Sequence, residues 1–151
     1  MSSSPERRRA LGALIDRLPP MLTTWDRRWE HWYLRTFPIY LVTLFSATHL
    51  PNLRLDGNFA PNDRMMHLLA FGMLAFLFWR FFEAIKRPPT ASFVYFAAIV
   101  LIAYASFDEY TQKFVNRGVD WGDWLCNVAG IAIALTALET IRRMRHSAQP
   151  S

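Results

Sequence analysis

An all-α membrane protein with four transmembrane helices is the fold class this sequence predicts, and three observations carry that expectation. First, the 151-residue chain is 52% hydrophobic and 15% aromatic, yet its mean hydropathy is only +0.08. The two figures agree because charge is segregated, crowding toward residues 1–31 and leaving later stretches almost bare. Second, those stretches run for 17–21 residues, the length that crosses a hydrocarbon core of about 30 Å. Third, Lys and Arg fall mostly on one side of them, as the positive-inside rule requires of cytoplasmic loops. The length leaves room for one domain. A single cysteine, Cys126, excludes a disulfide scaffold. No period-two alternation recurs over several segments, so a β-barrel is not supported, and no internal repeat is present. The pI of 9.9 does not point to nucleic acid, because the basic clusters flank apolar stretches, where topology accounts for them.

Residues 1–20 read as a basic amphipathic helix. Ser4-Pro5 supplies an N-cap and first position, and Ala10, Leu11, Leu14, Ile15 and Leu18 share one face opposite Arg7, Arg8, Arg9 and Arg17. Such a helix suits an anionic membrane surface, with a partly disordered tail as the alternative. Asp16 and Arg17 interrupt the apolar run, so it is no secretory signal. Thr24 can cap a second helix with Trp25, Trp29 and Trp32 on one face, an interfacial belt leading into the membrane.

Four spans follow, about Leu34 to Leu50, Met65 to Phe82, Ala91 to Phe107 and Trp121 to Ile141. Pro38 lies near the start of the first, where it is tolerated. The third, at 17 residues, is near the minimum and should stand almost upright. With this division 13 Lys and Arg fall on one side and four (Arg54, Arg64, Lys113, Arg117) on the other, which places both termini in the cytoplasm.

The outer side then holds Asp56, Asp63, Asp108, Glu109, Asp120 and Asp123. Asp63 and His67 share a helical face, as do Asp108 and Gln112 if the third helix continues that far. Asp120, Asp123, Asn127, Gly130 and Ala134 step by three and four along the fourth span, a stripe polar outside and small further in. Small residues let helices approach closely, and an intramembrane amide needs a protein partner, so the stripe should face the bundle.

Plainer readings stand beside these. Asp63, Asp120 and Asp123 can complement positive helix N-termini, and His67 can be a hydrogen-bonded interior histidine. Asn127 and Gly130 can be packing residues, and Tyr110, Trp121 and Trp124 an aromatic belt. Cys126 reads as an inert buried thiol. Asp108-Glu109 resists such a reading. Two adjacent acids end a helix against its dipole and adjoin the hydrocarbon, where ionisable groups are costly and usually functional. Arg64, Lys113 and Arg117 can pair with at most three of the five nearby carboxylates.

The string from Asp108 to Gly130, D-E-x-x-Q-x4-R-x2-D-x2-D-x3-N-x2-G, preceded by D-R-x-x-H at Asp63 to His67, resembles the VanZ-like family of small multi-pass bacterial membrane proteins. The resemblance covers roughly residues 35–141, with eight positions at fixed spacing in its second half. Arg64 stands where the family often has Lys, and residues 1–33 lie outside the pattern. By motif position it implies a site of Asp63, His67, Asp108, Glu109, Gln112, Arg117, Asp120, Asp123 and Asn127, in the bacterial inner membrane. It also implies a link to teicoplanin susceptibility, with which the family's namesake is associated, but no settled activity.

The expected organisation is a basic, Trp-containing segment 1–31, a four-helix VanZ-like transmembrane domain 32–146 and a tail 147–151. Three functions fit. The outward acidic site binds or modifies an envelope glycan or lipid-linked cell-wall precursor, its carboxylates accepting from sugar hydroxyls while Tyr110, Trp121 and Trp124 stack on sugar faces. Alternatively, the polar network only fixes helix register and assembly in a non-catalytic bundle. In the third, paired carboxylates, or a divalent cation on Asp108, Glu109 and His67, activate water. No metal or cofactor motif such as H-E-x-x-H is present, and no G-x-S-x-G elbow. A haem role for His49 and His67 is disfavoured by the surrounding acids.

Overall fold

The computed structural model describes residues 30–50, 63–85, 89–115 and 120–148. The amphipathic segment 1–20, Trp25, Trp29, Asp56 and Arg117 lie outside them. The described residues form four α-helices and no strand: α1 (Glu30–Thr48), α2 (Asp63–Ala84), α3 (Ala91–Thr111) and α4 (Trp121–Ala148), with a 3₁₀ turn, Gln112–Val115, continuing α3.

Three of these are long and apolar enough to cross a membrane: α2, α3 with its 3₁₀ extension, and α4 over Trp121–Ser147. Of the four expected spans, α1 is the one that does not reach that measure. Its 19 residues begin with Glu30, His31 and Arg35 and include Thr36, Thr43, Ser46 and Thr48, so too little of its length is apolar. Pro38 lies inside this helix, removing one backbone donor from the ladder.

α3 also departs from expectation. It does not stop at Phe107 but carries Asp108 and Glu109 inside the helix and runs to Thr111. The apolar run ends where the acids begin, but the helix does not, because both acids are buried against neighbouring helices rather than released to water. With the 3₁₀ turn the segment reaches 25 residues, well beyond the minimum span.

α2 and α4 share the largest interface, α1 packs on α2, and α3 packs on α4. α1 and α2 run antiparallel: Tyr33 stacks edge-on with Phe76, Phe37 meets Phe78 and Phe81, and the Tyr40 hydroxyl donates to the Ala70 carbonyl (2.9 Å). The core holds Phe71, Leu74, Ala75, Trp79, Ala97, Leu101, Ala105, Ile131 and Leu135. Each such aliphatic or aromatic side chain, once in protein rather than lipid, is held by dispersion and close packing more than by the hydrophobic effect.

Closest approach falls at Gly130. A Cβ there would land on the Leu68 carbonyl oxygen and 3.0 Å from the Gly72 nitrogen. Only a missing side chain lets α4 lie this near the α2 backbone. Ala134, one turn further in, packs half-buried against the core. Large side chains such as Ile39, Leu69, Ile99 and Ile133 are exposed on the outside of the bundle, where a lipid phase would solvate them.

The two ends of the bundle differ in chemistry. At the end carrying the C-terminus of α4, Glu139 accepts from Arg142 (2.6 and 2.8 Å) and from Arg143 (2.6 Å), and Arg80 pairs with Glu83 (3.1 Å). The Arg80 guanidinium also lies over the Tyr33 ring. At the other end the C-termini of α1 and α3 meet the N-termini of α2 and α4, and the acidic residues gather.

Candidate polar site at one end of the bundle

Asp108 is the innermost acid, with 0% exposure. Its two carboxylate oxygens are held separately: the Thr48 hydroxyl donates to Oδ1 (2.9 Å) and the Gln112 amide to Oδ2 (3.2 Å). Gln112 reaches back because α3 keeps its helical course through Thr111, which places residue 112 above residue 108. His49 lies beside them. Its Nδ1 faces the Phe45 carbonyl (2.8 Å), which can only accept, so Nδ1 carries a proton; Nε2 meets the Thr111 hydroxyl (2.9 Å). The same ring is 3.9 Å from Asp108 Oδ1 and stacks on Phe45.

Glu109 is 3% exposed and ties α3 to the start of α4. Its Oε1 accepts from the Asp120 backbone N–H (2.6 Å), while its Oε2 is buried without a hydrogen-bond partner among the described residues. Asp120 itself is exposed, and its own carboxylate accepts from the Gly122 N–H (2.6 Å). That geometry is an N-cap, so for Asp120 the plainer reading describes its side chain.

On the facing side, His67 is buried, with Nδ1 3.1 Å from Asn127 Oδ1 and Nε2 3.6 Å from Asp123 Oδ2. The amide oxygen can only accept, so Nδ1 carries a proton, and Nε2 is the nitrogen turned toward Asp123. Asp63 completes the group: one ligand atom each from Asp63, His67 and Asp123 lies within 4.8 Å of the others. Asn127 is fully buried, and its Nδ2 has no hydrogen-bond partner among the described residues. Glu109 lies near enough to interact electrostatically with both Asp123 and His67, which joins the two halves into one cluster.

Asp108, Glu109 and His67 are not the described residues whose ligand atoms lie mutually close enough for one ion. Both oxygens of Asp108 are already committed to Thr48 and Gln112, and the mutually close ligand atoms come instead from Asp63, His67 and Asp123.

The bases are distributed unevenly. Lys113 turns away from the acids, its Nζ 3.3 Å from the Tyr110 ring centroid. Arg64 lies over the first turn of α4, where a Cβ on Gly122 would meet its guanidinium at 2.8 Å. Of the aromatics, Trp121 and Tyr110 are exposed, and Trp124 donates to the Ser106 hydroxyl (3.0 Å) while meeting Trp121 edge-on. Cys126 is half-buried, with a free thiol.

Thr48, His49 and Thr111 are members of the site that motif reading did not single out. Their signal was positional: Thr48 and His49 end the first apolar stretch at the level of Asp108, and Thr111 lies between Asp108 and Gln112.

No match to the chain is found among curated proteins or among solved structures. A family model described as VanZ/LLP1 matches residues 20–142. That match takes in every described residue of the polar cluster, and it begins upstream of residue 35, where the motif resemblance starts. On this match, extending over more than half of the sequence, and with apolar helices able to cross a bilayer, the chain is a membrane protein that belongs to the VanZ/LLP1 family.

Proposed function

We propose that the chain is a four-pass protein of the bacterial cytoplasmic membrane with both termini in the cytoplasm. Its polar end faces outward and binds or modifies an envelope glycan or lipid-linked cell-wall precursor. The antiparallel course of α1 along α2 supports a fourth pass at the same depth as the others, despite its polar first turns. The excess of 13 Lys and Arg over four supports the orientation.

One observation carries the ligand reading. Among the described residues, Glu109 Oε2 and Asn127 Nδ2 are both buried and without a hydrogen-bond partner, an unsatisfied acceptor and an unsatisfied donor in one cluster. Each such group costs about 1–3 kcal/mol if left alone. A sugar hydroxyl can donate to the first and accept from the second, and exposed Trp121 and Tyr110 at the rim offer apolar faces to a ring. Engagement of a cell-wall precursor would also give the protein a route to altered teicoplanin susceptibility.

The test is thermal melting of the purified protein in detergent against a panel of soluble and lipid-linked saccharides. A dose-dependent rise with one class, lost in Asn127→Ala, is expected; no shift across the panel would overturn the reading. The second reading, a bundle whose polar network serves assembly alone, draws on the fully satisfied Asp108, and it gains ground if Asn127→Ala changes stability but no saccharide binds.

A further inference from the structure

We propose that Asp63, His67 and Asp123 hold a divalent first-row transition cation, Zn²⁺ or Mn²⁺, at the polar end of the bundle. Two helices build the site. Asp63 and His67 stand one turn apart at the start of α2, and Asp123 occupies the first turn of α4. The tight contact of Gly130 with α2, two turns below, sets the distance between those helices.

The separation of His67 Nε2 from Asp123 Oδ2 is 3.6 Å, too long for a hydrogen bond. Two ligand atoms bound at about 2.0–2.2 Å to one ion stand about 3.0–3.6 Å apart. All three ligand atoms lie within 4.8 Å of one another, so a small inward movement of side chains closes the set around one ion. The imidazole is oriented for this. Asn127 Oδ1 receives the Nδ1 proton and leaves Nε2 as the coordinating nitrogen, the arrangement by which outer residues fix a histidine ligand.

A second observation, independent of that triad, points the same way. Glu109 is 3% exposed, its Oε2 has no hydrogen-bond partner among the described residues, and it interacts electrostatically with both His67 and Asp123. A buried carboxylate that feels the like charges of Asp123 and Asp108 is what a cation relieves, whether as a further ligand or through its charge. An imidazole nitrogen among carboxylates favours a first-row ion over Mg²⁺ or Ca²⁺, which prefer oxygen alone. Three protein ligands leave positions open for water or for a polar group of a ligand. This site stands without the glycan reading, since cation binding is measured with no saccharide present.

The experiment uses the full chain in detergent, stripped with a chelator, and titrated calorimetrically with ZnCl₂, MnCl₂, MgCl₂ and CaCl₂. One equivalent of Zn²⁺ or Mn²⁺ binds, with little response to the other two. His67→Gln and Asp123→Asn each weaken that binding at least about 100-fold, and Asn127→Ala, which only orients His67, weakens it about 10- to 100-fold. Should those variants fail to fold, pulsed paramagnetic resonance of Mn²⁺ on the wild type decides, with coupling to one imidazole nitrogen expected. Absence of stoichiometric uptake of Zn²⁺ or Mn²⁺ by the wild type, uptake unchanged in folded variants, or a Mn²⁺ spectrum without nitrogen coupling would each overturn the proposal. Saccharide stabilisation persisting in chelator would overturn only a cation's part in that binding and would leave the glycan reading standing.

Discussion

Glu109 and Asp108 are neighbours in sequence and opposites in environment. Asp108 has both oxygens satisfied by side chains from α1 and the 3₁₀ turn, whereas Glu109 has one oxygen on a backbone N–H and the other without a hydrogen-bond partner among the described residues. Removing the charge at Glu109 should therefore relieve strain. In chelator-treated protein Glu109→Gln melts higher by a few degrees, equivalent to about 1 kcal/mol, because the amide keeps an acceptor for Asp120 N–H and no longer buries a carboxylate. A drop of several degrees would instead mark Glu109 as part of a purely structural network. Thr48→Val keeps the shape and deletes the donor to Asp108. It should cost about 1.5–3 kcal/mol in a melting experiment, the range for a hydrogen bond to a charged, buried group.

Helix ends and helix contacts set where those residues can stand. Asp120 caps α4 and turns its own N–H toward Glu109, so one residue both starts a helix and fixes the carboxylate of another. Two glycines on α4 then make contrasting predictions. Gly130→Ala drives a methyl into the α2 backbone at Leu68 and should destabilise by about 1–3 kcal/mol, as overpacking does. Gly122→Ala meets only the movable end of the Arg64 side chain and should stay within ~0.5 kcal/mol. Parallel melting curves check both; equal losses would mean that α4 does not approach α2 as described. Asp108-Glu109 shows the same dependence on context from the other direction. A helix that looks finished at Phe107 continues through two acids because neighbouring elements bury and bond them.

Across the whole molecule, chemistry is polarised along the bundle axis. One end gathers Asp63, His67, Asp108, Glu109, Asp123 and Asn127; the other carries Arg80, Arg142, Arg143 and Arg145 among their acidic partners. The proposed topology, with the basic end in the cytoplasm, requires an even number of passes and both termini inside. Single cysteines introduced at Ser3 and Ser147 in a Cys126→Ala background should be shielded from a membrane-impermeant thiol reagent in intact cells. Labelling of Ser3 alone would mean that α1 does not cross and that only three helices span.

Helical spacing was enough to put Asp123, Asn127 and Gly130 on one stripe and Asp63 with His67 on one face, because those relations are local and repeat every turn. Hydropathy was enough to mark three apolar helices, because bilayer thickness sets a length that a single stretch either reaches or misses. The first helix was less legible, since its apolar residues are interleaved with Glu30, His31, Arg35 and hydroxyl side chains. Contacts between elements were not legible at all. That Thr48 serves Asp108 across 60 residues of sequence, that His49 and Thr111 join the cluster, and that Lys113 leaves it for Tyr110 depend on how four helix ends meet. So does the choice of ligand atoms near one another, Asp63 and Asp123 rather than Asp108. Sequence alone determined the class, the family motif and the faces of single helices; only the tertiary structure decided the partners, because hydrogen bonds and ligand distances are set by packing between helices.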